Sequence, residues 1–151
     1  MPELSPEAIA RAMAKVVAET AVRAKAAMTT VALSIERQAK INASTGEHRR
    51  GTRTPARPGT GPARISGTLV RSITHSEVMA TAGGWEIRVG LAGGLYPWYG
   101  KGRTPSSKYG EYLEKGMLRG GAAYPFLGPA VGFGAKVVAY TAFKAAFSAG
   151  W

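Results

Sequence analysis

Positions suited to an apolar stripe recur every three or four residues near the start of the chain: Ile9, Met13, Val16, Val17, Thr20, Ala24, Ala27, Met28, Val31 and Ile35. That spacing predicts one amphipathic helix from about Pro6 to Ile41. Ser5 suits the N-cap, Pro6 fits the first helical position, where a missing N–H costs nothing, and Glu7 complements the positive end of the helix dipole. Such a helix is roughly 50 Å long at about 1.5 Å per residue, more than the width of a domain this size. Part of the stripe is therefore expected to pack on a neighbouring subunit, with Val16, Met28 and Ile35 as the contact positions. The alternative is an ordinary core helix that bends or breaks near Thr29 and Thr30.

Periodicity stops between Ser44 and Arg64, where STGEHRRGTRTPARPGTGPAR predicts an extended arm. Arg49, Arg50, Arg53, Arg57 and Arg64 stand there against the single acid Glu47. Guanidinium groups donate paired hydrogen bonds to phosphate, so the arm is either a contact to DNA or to a partner protein, or a solvated linker. Next, Ile65 to Ile73 predicts a short helix capped by Ser66, with Leu69, Val70 and Ile73 on one side. Then the period changes to two. Residues 74–82 and 85–91 are expected to form a hairpin about a Gly83-Gly84 turn, and Trp85, Ile87, Val89 and Leu91 alternate with Glu86, Arg88 and Gly90 as in a half-buried strand.

From Gly93 to Tyr124 the chain is rich in Gly, Tyr, Lys and Arg and predicts irregular loop, with a short helix or strand near Tyr109 to Leu113. Pro125 and Pro129 open a final helix whose contacts are Val131, Val138, Ala142, Ala145 and Ala146, weakened at its start by Gly132 and Gly134. The fold class is α+β: long N-terminal amphipathic helix, basic arm, short helix, small antiparallel sheet with a hairpin, and C-terminal helix. One domain over 1–151 is expected, with 1–43 as the long helix and 44–64 as the arm.

A 45% hydrophobic content argues against wholesale disorder. The formal charge of +11 suits a surface that meets polyanions or an acidic protein. With no cysteine, disulfides and thiol chemistry are absent. The N-terminal residues carry charges every few positions and lack the unbroken apolar run of a signal peptide or membrane span, so a soluble protein that does not enter a membrane is expected.

Candidate chemistry is sparse. The two histidines, His48 and His75, have no acid or second histidine at metal-binding spacing. There is no aspartate, and the nine glutamates are scattered apart from Glu111 and Glu114. Gly132 to Lys136 mimics part of a phosphate loop but lacks its full spacing and a preceding strand. Ser66 and Ser72 have no histidine nearby in the sequence other than His75. No enzyme activity, cofactor or metal is expected.

Three segments in order, SGTLVRSI at Ser66–Ile73, YGEYLEKG at Tyr109–Gly116 and PFLGPA at Pro125–Ala130, follow a long helix and an arm. In that order and spacing the chain resembles the HK97-type phage tail-component family of head-tail connector and tail-completion proteins. Gly67, Leu69, Ile73, Tyr112, Glu114, Gly116, Pro125, Phe126, Leu127 and Pro129 carry the resemblance, and they read as fold determinants. What it implies is an assembly role in the virion neck. The chain would form a homo-oligomeric ring, sixfold by family expectation, around the DNA path, meeting adaptor or stopper, tail terminator and tail tube proteins and, through the arm, packaged DNA. A tail terminator ring of the same junction and a free-standing basic nucleic-acid-binding protein are the alternatives.

Overall fold

The computed structural model describes residues 5–47, 56–57, 59–64, 67–93, 106–116 and 122–148. Helix α1 runs without interruption over Pro6–Asn42. Ser5 is extended and its hydroxyl accepts from the Ala8 N–H at 3.3 Å, with Pro6 and Glu7 in the first turn. Thr29 and Thr30 do not break the helix. Their hydroxyls donate back to the carbonyls of Lys25 and Ala26 at 2.9 and 3.0 Å, so neither competes for the ladder's N–H groups.

Helix α2 covers only Thr68–Ser72, with Gly67 at its N-cap at φ 74° and no side-chain cap. The expected start at Ile65 and Ser66 lies outside the described residues, and Ile73 begins a strand instead of ending the helix. Four short strands follow: β1 (Ile73–His75), β2 (Met79–Thr81), β3 (Gly84–Glu86) and β4 (Val89–Leu91). β1 pairs with β4 and β2 with β3, both antiparallel, as two stretches of one hairpin. Between them the Ser76 N–H donates to the Arg88 carbonyl at 2.8 Å and the Ser76 hydroxyl accepts from the Arg88 N–H at 3.0 Å. A serine side chain thus replaces a ladder rung, and the unbroken strand expected over 85–91 is two strands with Ile87 and Arg88 between them. The turn is Ala82-Gly83, one residue earlier than expected, because Gly84 pairs with Thr81.

Where a short helix or strand was expected near Tyr109 to Leu113, helix α3 spans Ser106–Lys115. Gly116 ends it at φ 72°, the left-handed conformation that lets a chain leave a helix without Cβ strain. Helix α4 (Leu127–Phe133) continues through a π-helical segment, Gly134–Val138, into α5 (Ala139–Ser148). This rod packs on α1. A Cβ on Gly134 would stand 2.2 Å from Ile35 Cγ1, so the two helices touch where only hydrogen fits. The wider π turn shifts the inward face, which corrects the expected contacts: Val138, Ala142 and Ala146 are half-buried, while Val131 and Ala145 are exposed.

One core lies between α1, the hairpin base, α3 and α4. Ala39, Ala43, Ala56, Ile73, Leu113, Tyr124, Phe126 and Ala130 are buried, and Ile35, Leu69, Leu91 and Leu127 pack against them. At the far end of the hairpin, Lys25 Nζ sits 4.3 Å from the centre of the Trp85 ring, which leans β3 on α1.

Candidate functional site

Several of the residues that carry the resemblance, Glu114, Phe126 and Leu127 among them, meet at the start of α4. A helix leaves its first four N–H groups without partners. Here Glu114, from the last turn of α3, accepts from Phe126 and Leu127 through Oε2 at 2.9 and 3.0 Å and from Gly128 through Oε1 at 2.7 Å. The fourth position is Pro129, which has no N–H to satisfy. A carboxylate at that end also meets the positive pole of the helix. A Cβ on Gly128 would approach Glu114 Oε1 to 2.9 Å, so the glycine keeps the carboxylate close.

Other groups fix the same junction. Asn42, at the last turn of α1, donates through Nδ2 to the Phe126 carbonyl at 3.0 Å, and its Oδ1 accepts from Gln38 Nε2 at 2.9 Å. The Tyr124 N–H donates to the Leu113 carbonyl at 2.8 Å. Phe126 is 1% exposed and forms the centre of the core with Ile73. Tyr112, Pro125 and Leu127 are half-buried and Pro129 is exposed. Gly67 and Gly116 each adopt positive φ.

A second polar group ties α1 to the hairpin. Glu36 accepts from Lys40, and its other oxygen lies 2.5 Å from His75 Nδ1. Burial by itself raises the Glu36 carboxyl, but the hydrogen bonds and charges of Lys40 and His75 more than offset it and hold the group below the usual carboxylate range. The pairing joins residues 39 apart and has no signature in local spacing. No nucleophile accompanies it among the described residues: the buried Ser72 hydroxyl donates to the Leu69 carbonyl at 2.7 Å, and Ser76 donates to Glu77 O. Nor do three metal-ligating side chains gather among the described residues.

The expected contact positions on α1 separate. Val16 is 46% exposed. Met28 is half-buried, and Ile35 packs against the core and Gly134 of its own chain. Of the arm's arginines, Arg57 and Arg64 are exposed, and Arg49, Arg50 and Arg53 lie outside the described residues. No described helix is long and apolar enough to cross a membrane. Comparison with family models, with curated proteins and with solved structures finds no match to this chain.

Proposed function

We propose that this chain is a structural subunit of the head-tail junction of a long-tailed phage, forming a ring around the DNA path between head and tail. The observation that carries this reading is the Glu114 carboxylate seated on the N–H groups of Phe126, Leu127 and Gly128. It joins YGEYLEKG, which supplies the acceptor, to PFLGPA, which supplies the donors, as two halves of one cap, while Leu69 and Ile73 of SGTLVRSI meet the same core. Segments that would each be weak matches alone are thereby parts of a single device, and their order has a physical reason.

The site is built for rigidity. Its carboxylate faces backbone N–H groups, which suits a protein that works by shape. The basic charge of +11 fits a subunit lying near packaged DNA or an acidic partner ring.

Negative-stain images of the purified full chain test the ring directly. Closed rings are the expected result. A monomer whose DNA binding weakens steeply with salt would instead favour a free-standing nucleic-acid-binding protein.

A further inference from the structure

The helices that pack together are unequal in length. Asn42 contacts Phe126 at one end of the pair, and Ile35 meets Gly134 further along, so α1 and the C-terminal rod run antiparallel. Carrying that step onward at about 1.5 Å per residue brings Ser148, the end of α5, level with roughly residue 21 of α1. Exposure agrees with the geometry. Every residue from 9 to 18 is exposed, and the first buried residue of α1 is Ala27.

About four turns of helix therefore extend past the rod. They are not polar turns. Ile9, Met13, Val16 and Val17 recur on one side and are 46, 65, 46 and 68% exposed. These turns propagate from the packed part of α1, so it is their exposed apolar stripe, not their length, that calls for a surface. The same molecule offers one. None of the residues of α5 is buried, and Tyr140 and Phe143 remain exposed beside Val137 of the π segment, with Lys136 and Lys144 alongside and the Lys144 Nζ 5.9 Å from the Tyr140 ring centre. Thr141, Lys144 and Ser148 form its polar stripe, and the apolar side chains beside that stripe remain open.

We infer that the projecting segment of α1 docks on the Val137, Tyr140 and Phe143 flank of a second copy of this chain. Charge selects the occupant. A chain of net charge +11 repels its own copies over most of its surface. Residues 5–22, however, hold Glu7, Arg11, Lys15 and Glu19, two acids and two bases, so this segment meets a like molecule without net repulsion. Area agrees, since four such side chains and the alanines between them present on the order of 400 Å² of apolar surface. That is about the apolar half of the ~800 Å² that each partner buries in a standard interface. The two surfaces differ, so each copy gives one and receives one, and repetition closes a ring or extends a filament. The inference deepens the ring reading and rests on it for closure, while the contact itself stands apart from any role in a virion.

The test uses the full chain and light scattering after size exclusion. Wild type is expected as an oligomer, and Val16→Asp and Tyr140→Asp each as monomers with unchanged circular dichroism and a single cooperative melt, at a temperature lowered only by the loss of association. Mixing the two variants is the sharper step. The Val16→Asp copy keeps its α5 flank and the Tyr140→Asp copy keeps its projecting helix, so the mixture should form a heterodimer and nothing larger. A monomeric wild type, oligomers in either variant, or a mixture that stays monomeric would each overturn the contact. Oligomers that dissociate as expected, from a chain whose loss leaves virions intact, would sustain the contact and remove only the head-tail role.

Discussion

At the scale of single residues, Glu114 does the work of three capping groups, and its removal should show it. Glu114→Ala leaves the Phe126, Leu127 and Gly128 N–H groups without their acceptor, Phe126 being buried. The expected loss is about 2 kcal/mol by urea denaturation, the scale of a lost cap at a partly buried site. Glu114→Gln keeps one acceptor oxygen and should lose less; equal stability of the alanine variant and wild type would contradict the cap. Phe126→Ala opens a cavity at the centre of the core and should cost about 3–5 kcal/mol. Glu36 gives a pH signature. Its pKa is lower in the folded chain than in the unfolded one, so its contribution is full above the unfolded value of about 4.3 and fades as pH falls through the folded value. Between pH 5 and 3, Glu36→Gln should therefore lose less melting temperature than wild type does.

At the scale of elements, two glycines two residues apart should respond with opposite signs. Gly134→Ala drives a methyl into Ile35 and should destabilise by about 1–3 kcal/mol as overpacking. At Gly132, in α4, an added Cβ meets nothing within 4 Å, and Gly132→Ala should stabilise by about 0.5–1 kcal/mol through helix propensity. Thermal melts of both variants decide it, and a shared sign would contradict the close crossing of α1 and the rod. The same pair shows what local pattern carries and what it does not. Helix α1 was legible because its cap, first-turn proline and stripe all agree, and the order of helix, hairpin and final helix followed from changes of period. The glycines of the last helix read as weak points because their reason, contact with Ile35, lies about a hundred residues upstream. The π turn was illegible for a related reason: it changes which residues face inward without changing their composition. Helix α3 was placed but its type and length were left open, because its Gly and Tyr content and few hydrophobic positions fit a strand as well. At the candidate site, Glu114, Pro125 and Phe126 were visible as a pattern, but the hydrogen bonds that explain them, and the Glu36–His75 and Asn42–Phe126 contacts, join distant segments and became visible only in the fold.

At the scale of the whole molecule, rigidity at the core coexists with exposed apolar side chains along α1 and α5 among the described residues. The Glu114 cap fixes the rod, the rod fixes its exposed flank, and the long helix carries its stripe beyond it. That division suits a subunit whose task is to hold neighbours in register, and it ties the proposed role to assembly. The most direct measurement is a particle count in lysates of the phage proposed to encode this chain, with its gene disrupted and then restored in trans. The account predicts DNA-filled or emptied heads and separate tails in place of joined virions, with joining recovered on restoration. Normal numbers of joined, infectious particles without the protein would contradict it.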